Sequence, residues 1–162
     1  MDTSAFLHQL TAQPAYSGQM VHIEHIPPRD ANWAELDKPL VSSLQECLSQ
    51  HKLLPLYTHQ AKAVNSARQG KNVMVATSSA SGKTLCYNIP VLQALLTERD
   101  SHALYFFPTK ALAQNQWRAL RELSYPALLS LEELATFDGD TPQAERTEIK
   151  KRARIILTNP DM

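Results

Sequence analysis

Glycine is scarce in this chain. Four of its 162 residues are glycine, against ten prolines. That balance favours punctuated structure over a flexible linker. Cysteine is scarcer still, with Cys47 and Cys86 standing alone. Two isolated cysteines make no disulfide framework, so a reducing cytoplasm is the natural setting. Long apolar runs are missing too. The most apolar stretch, Leu85 to Leu96, has 12 residues and contains Asn88, Pro90 and Gln93. It is too short and too polar to span a membrane. The N-terminus, "MDTSAFLHQL", has an early acid and no basic segment, which excludes a secretory signal. Net charge is zero, from 16 basic and 16 acidic residues, so no global field draws the chain to nucleic acid or membrane. The balance is uneven, however. Residues 1–56 carry three basic and six acidic side chains, and the surplus of basic charge lies beyond them.

The length suits one domain. Residues 1–39 show weak periodicity, broken by Pro14, Pro27, Pro28 and Pro39. They read as an irregular N-terminal arm with a short strand at Gln19–Ile26. His22 and His25 lack further ligands at useful spacing and read as polar strand or loop rather than metal site. From Pro39 the pattern turns helical, with Leu40, Leu44, Cys47 and Leu48 on one face. Pro55 ends that unit. Thr58 caps a second helix, His59 to Gln69, which Gly70 stops. "NVMVA" at 72–76 is a short apolar strand, and a helix follows from Lys83 to about Glu98. "ALYFF" at 103–107 is a second strand, followed by a helix from Ala111 to Leu123. "LATF" at 134–137 is a third strand, and Thr141 caps a helix opened by Pro142. "RIILT" at 154–158 is a fourth strand. Apolar strands alternating with helices predict an α/β fold, a parallel sheet with helices on both faces.

Glycine is also missing from one place where it matters. "VATSSASGKTL" (75–85) ends in Gly82-Lys83-Thr84, the tail of the phosphate-binding pattern G-x-x-x-x-G-K-[ST]. The first glycine of that pattern is replaced by Thr77. The setting still fits, because the loop leaves an apolar strand and opens a helix. Phosphates are held there by backbone N–H groups and a helix N-terminus. Small side chains at Ser79, Ala80 and Ser81 suffice if the loop dihedrals stay negative. Lys83 would contact the β- and γ-phosphates of ATP, and Thr84 would hold Mg²⁺. The plain alternative is an ordinary helix start capped by Ser79 and Ser81. "LPLYTHQAKAV" (54–64) supplies Gln60, whose amide can pair with an adenine edge. "FFPTKALAQNQ" (106–116) places Pro108, Thr109 and Lys110 between a strand and a helix, where they suit a phosphate backbone. "KKRAR" (150–154) reads as a solvated, dipole-favoured helix end.

Together these segments resemble the first RecA-like domain of superfamily 2 helicases. "LYTHQ" resembles the Q motif, "ATSSASGKT" motif I and "FPTKALAQNQ" motif Ia. "FDGDTP" resembles the glycine-containing turn that follows, and "ILTNPDM" motif Ib. The wording is closest to the DEAD/DEAH-box-like DNA helicases of the MrfA/Hrq-type branch, which carry a C-terminal cysteine-rich region. The resemblance covers roughly residues 20–162.

It implies a RecA-like P-loop NTPase sheet over residues 40–162 and a DNA-directed ATPase motor with a role in DNA repair. Gln60 would contact adenine, and Ser79, Ala80, Ser81, Gly82, Lys83 and Thr84 the phosphates. Lys83 would be the catalytic residue in this stretch, and Thr84 the Mg²⁺ ligand. Pro108, Thr109, Lys110, Gly139, Thr158 and Asn159 would line the track of one DNA strand. The second RecA-like domain and the cysteine-rich region of the same polypeptide would be the partners. An RNA-remodelling ATPase of the DEAD-box type and a non-motor P-loop module are the alternatives.

Two departures qualify the resemblance. The aromatic that DEAD-box RNA helicases place upstream of the glutamine is absent, and Ser43 stands there; Tyr57 is a candidate substitute. No D-E-x-H motif is present, and Asp161 belongs to "TNPDM" instead. The family's motif II and III strands lie between the P-loop strand and the motif Ia strand. Without them the visible strands are expected to lack central partners, leaving an incomplete domain, marginally stable alone and unable to couple ATP binding to hydrolysis.

Overall fold

A computed structural model describes residues 2–27, 30–125 and 127–160. Pro28, counted above among the breaks, and Asp161 and Met162 of "ILTNPDM" lie outside the described residues. Two units divide between Ala31 and Asn32. The first contains helix α1 (Thr3–Thr11), capped by the Asp2 carboxylate, which accepts from the Ser4 and Ala5 amides. The arm is therefore not wholly irregular, because an aspartate at the N-cap satisfies two otherwise orphaned donors. The strand expected at Gln19–Ile26 is absent; Val21 and Ile26 are exposed, and no strand among the described residues pairs with the segment.

The second unit opens with a two-residue antiparallel pair, β1 (Trp33–Ala34) with β2 (Leu56–Tyr57). Helix α2 (Ser42–Gln50) lies between them and buries Leu44, Cys47 and Leu48, the face read from the sequence. Helix α3 (Thr58–Arg68) begins one residue earlier than expected, so Tyr57 rather than Thr58 is its N-cap. Gly70 follows it with φ of 74°, the left-handed stop a glycine permits. Helix α4 (Lys83–Thr97) runs through Pro90.

Three strands form a parallel sheet: β3 (Ala103–Phe106), β4 (Leu134–Thr136) and β5 (Ile155–Thr158), in the order β3-β5-β4. The strands thus pair with each other directly, and β5 is itself a central partner. Helix α5 (Lys110–Ser124) packs on β4 and β5, and helix α6 (Gln143–Arg152) precedes β5. Thr141 does not cap α6. Its hydroxyl accepts from the Asp138 amide, and Pro142 occupies the N-cap. The core gathers Leu44, Leu48, Val64, Ile89, Leu92, Leu120, Ile155 and Leu157, all fully buried. Each such side chain contributes about 1.5–3 kcal/mol through removal from water.

Two expectations about the sheet fail. Residues 72–76 form no strand, and Met74 is 95% exposed. A strand exists only with a ladder partner, and none among the described residues lies beside this segment. A groove of about 650 Å³ separates it from α4 and from Ala103 at the start of β3. Nor is β3 covered on both faces. Its exposure alternates, leaving Leu104 and Phe106 open at 56% and 63%. No helix among the described residues is long and apolar enough to cross a membrane.

Candidate nucleotide and nucleic-acid site

The loop before α4 is curled around its own lysine. The Lys83 ammonium donates to the carbonyls of Thr77, at 3.0 Å, and of Ser78. The Thr77 and Ser81 hydroxyls stand 3.4 and 3.5 Å from the same nitrogen. Those hydroxyls are 2.6 Å apart and clasp the loop across its mouth. Thr77 thus replaces the expected glycine with a side-chain bond. The dihedrals do not all stay negative, as the sequence reading required. Gly82 has φ of 76° and Ala80 has φ of 57°. Left-handed geometry costs an alanine roughly 1–2 kcal/mol. Neither Ser79 nor Ser81 caps α4. Gly82 occupies the N-cap without any side-chain bond; the Leu85 amide turns back to the Gly82 carbonyl at 3.2 Å, and the Lys83 and Thr84 amides before it receive no side-chain cap.

The first turn of α3 grips this loop at two successive carbonyls. Gln60 is 2% exposed. Its Nε2 donates to the Gly82 carbonyl at 3.0 Å, and its Oε1 accepts from the Tyr57 amide at 2.9 Å. The second bond is half of a capping box. A Cβ at Gly82 would collide with Gln60 Nε2, so glycine is needed for space as well as for φ. His59 Nε2 donates to the Ser81 carbonyl at 2.9 Å, which places the ring proton on that nitrogen. Above them three rings align. Trp33 stacks on Tyr57 with centroids 4.5 Å apart, and Tyr57 on His59 at 5.8 Å. Trp33 is 50% exposed. Sequence reasoning missed Trp33 and His59. Trp33 sits in a weakly patterned segment, and only the β1–β2 pairing, Trp33 opposite Tyr57, brings it to the loop.

The remaining candidates sit at the carboxyl ends of the parallel strands. The Phe107 amide donates to the Thr158 carbonyl and the Phe137 amide to the Leu157 carbonyl, each at 2.9 Å. This register brings Pro108, Thr109 and Lys110 beside Thr158 and Asn159, with Gly139 beyond Phe137. Pro108, Thr109 and Gly139 are exposed, and Lys110 is half-buried. The Thr109 hydroxyl caps α5 by accepting from the Leu112 amide. Lys110 pairs with the Asp140 carboxylate at 2.9 Å. Thr158 and Asn159 are buried instead. The Thr158 hydroxyl donates to the Phe137 carbonyl, and Asn159 Oδ1 has no hydrogen-bond partner among the described residues.

Polar links join these parts. The Tyr87 hydroxyl of α4 donates to Gln116 Oε1 of α5 at 3.1 Å, and the Tyr105 hydroxyl of β3 donates to Asn88 Oδ1 of α4 at 3.0 Å. Burial pushes the Tyr87 hydroxyl above its ordinary pKa, with side-chain hydrogen bonding from Thr84 opposing. Arg154 clamps the end of α4, donating to the Leu95 and Glu98 carbonyls at 2.8 Å, and reaches Glu133 at 3.2 Å. Burial raises the Glu133 carboxyl, but the Ser130 bonds and the Arg154 charge outweigh it and hold it below its ordinary value.

The profile described as DEAD/DEAH box helicase matches residues 57–162. The ATP-dependent helicase hrq1 of Schizosaccharomyces pombe is 41% identical over 160 residues, covering 96% of this chain and 15% of its own length. The ATP-dependent helicase YprA of Bacillus subtilis is 39% identical over 143 residues, covering 88% and 19%. The crystal structure of the DUF1998 helicase MrfA bound to DNA and AMPPNP is 40% identical, with a TM-score of 0.78 over 85% of this chain and 19% of that one. The chain thus spans less than a fifth of the length of these relatives.

Proposed function

Because the chain belongs to the DEAD/DEAH box helicase family, we propose that it is the ATP- and nucleic-acid-binding part of an ATP-dependent DNA helicase that acts in DNA repair. The observation that carries this reading is the loop curled on Lys83 and gripped by Gln60 and His59. The likeness to MrfA, solved with DNA and AMPPNP, supports DNA and ATP as the ligands.

The residues fit a nucleoside triphosphate. The uncapped start of α4 offers N–H groups to an anion, and Lys83 offers a cation that can turn from carbonyls to phosphate oxygens. Ser79, Ala80, Ser81, Gly82 and Lys83 would hold the phosphates. Bound ATP supplies the phosphoanhydride whose cleavage drives movement. Among the described residues, no three His, Cys, Asp or Glu side chains gather to hold a metal. Mg²⁺ would therefore be held through the Thr84 hydroxyl and the phosphate oxygens themselves, the oxygen set that this ion prefers. The base would stack on the Trp33–Tyr57 plate, near the Gln60 amide, which keeps one N–H and one lone pair unspent.

Pro108, Thr109, Lys110 and Gly139 would meet one DNA strand, with Thr158 and Asn159 bracing the strand ends from behind. Backbone and neutral groups dominate this set, which suits a grip that must release at each step. The second RecA-like domain and cysteine-rich region of the full-length polypeptide are the proposed partners. The test is a DNA-stimulated ATPase assay on the full-length protein, with RNA in parallel and Lys83→Ala as control. A rate unchanged by Lys83→Ala would sink the motor reading. Stimulation by RNA but not DNA would move it to an RNA-remodelling ATPase.

A further inference from the structure

The turn from β4 to α6 is held from both ends. Within residues 138–141, the Asp140 amide donates to Asp138 Oδ1 and the Asp138 amide to the Thr141 hydroxyl, each at 2.9 Å. The Thr141 amide donates to the Asp138 carbonyl at 3.1 Å. Asp138 is buried, whereas Gly139 and Asp140 are exposed. One side chain from outside the turn closes it. Arg146 of α6 reaches back, donating from Nε to the Thr141 carbonyl at 2.9 Å and from Nη2 to the Asp138 carbonyl at 3.0 Å. Those two carbonyls bracket the turn. The same guanidinium lies over the Phe137 ring, 5.2 Å from its centroid. On the strand side, the Phe137 carbonyl accepts from the Thr158 hydroxyl of β5. A planar fork seated on an aromatic face, with both bonds made, has little freedom left.

The turn stands beside the start of α5. The Lys110 ammonium is 3.6 Å from the point where a Cβ on Gly139 would lie, and it pairs with Asp140 at 2.9 Å. Among the described residues the Gly139 amide makes no hydrogen bond, so this exposed N–H is open to an outside acceptor. We propose that Arg146 is a positioning residue for nucleic-acid binding, which fixes the Asp138–Thr141 turn so that the Gly139 amide meets a backbone phosphate. The proposal rests on the functional reading above, in which Gly139 and Lys110 line the path of one strand. An exposed turn that flexes must be ordered at every encounter, and that ordering opposes binding. The Arg146 fork orders it beforehand, on folding. A lysine keeps the charge but lacks the fork, so it cannot hold both carbonyls in one plane.

The test measures affinity for a single-stranded oligodeoxynucleotide at several salt concentrations, by fluorescence anisotropy on the full-length protein. A fluorescent ATP analogue is titrated in parallel. Arg146→Lys and Arg146→Gln should each weaken DNA binding by about fivefold, the scale of one lost hydrogen bond. Affinity for the ATP analogue should stay within about twofold. The contact being positioned is a neutral N–H, so the salt dependence should keep its slope in both variants. Unaltered DNA affinity in Arg146→Lys overturns the proposal, because charge and not the fork would then suffice. A slope shallower by about 0.7 in Arg146→Gln also overturns it, since Arg146 would itself touch a phosphate. A parallel loss of the ATP analogue overturns it too and marks a merely structural role. Each of these results leaves the functional reading intact. Failure of the unsubstituted protein to bind DNA would overturn both.

Discussion

The side-chain amide of Gln60 donates to the carbonyl of Gly82 at 3.0 Å, and no Cβ could stand at Gly82 without striking it. The first turn of α3 and the last residue of the phosphate loop are therefore fitted to one another. Gln60 is buried, so this bond is shielded from water and each partner depends on the other.

Gly82→Ala meets two obstacles, the left-handed backbone and the Gln60 amide. Affinity for a fluorescent ATP analogue should fall by about tenfold or more, the equivalent of roughly 1.4 kcal/mol. Gln60→Ala alone should cost less, because it leaves the loop's own clasp in place. Titration of both variants would check the order. Equal affinity in Gly82→Ala and the unsubstituted protein would refute the fit.

The clasp between Thr77 and Ser81 takes the place of the usual first glycine. Thr77→Val keeps the shape and removes the hydroxyl, so nucleotide affinity should drop several-fold. Thr77→Ser keeps the hydroxyl and should stay within about twofold. The loss reflects a loop bond worth about 1 kcal/mol. Isothermal titration with ATP separates the two variants.

On the proposed reading, the Trp33–Tyr57 plate addresses the base and not the phosphates. Trp33→Ala should therefore weaken ATP by about tenfold, in line with roughly 1–3 kcal/mol for base stacking. Binding of inorganic tripolyphosphate should hardly change. A parallel loss for both ligands would place Trp33 in loop support.

Asp140 pairs with Lys110 at the start of α5. Asp140→Asn removes an anion beside the proposed strand track. Affinity for single-stranded DNA should rise a few-fold. The salt dependence should steepen by about 0.7 in log–log slope, one further phosphate contact. Fluorescence anisotropy at several salt concentrations gives both numbers, and a flat response would argue that the pair lies off the track.

Glu133 ties the strand entry to Arg154, and its folded-state pKa is lowered. A lowered folded value stabilises the fold above the ordinary carboxyl value of 4.5. The contribution is lost as pH falls from there through the folded value. Exchange protection of the Ser130 amide, which donates to Glu133 at 2.8 Å, should decline in that range beyond the intrinsic rate change. Glu133→Gln should abolish this pH dependence and cost about 1 kcal/mol at neutral pH.

The sequence made much of this legible, and for identifiable reasons. The apolar face of Leu44, Cys47 and Leu48 recurs at helical spacing, so α2 could be read locally. The strands at 103, 134 and 155 are short, largely apolar runs that pair with one another. Residues 72–76 have the same composition but no neighbour, and composition cannot report whether a ladder partner is present. The loop was recognisable from Gly82, Lys83 and Thr84. Its stabilisation was not, because Thr77–Ser81, His59–Ser81 and Gln60–Gly82 are contacts that residue type alone does not declare. Trp33 was hidden for a related reason: a two-residue strand pair leaves almost no periodicity to detect. The burial of Thr158 and Asn159 depends on how β5 sits between its neighbours, which no local pattern encodes.

The lysine folded back into its own loop has a consequence for what the site ignores. With its ammonium satisfied by the Thr77 and Ser78 carbonyls, the loop presents a weak outward field. A passing orthophosphate or sulfate must dislodge Lys83 and gains only one anchor in return. A triphosphate would meet the helix end and the released ammonium together. Abundant small anions should therefore be poor competitors, and the loop would act as a filter for chain length rather than for charge.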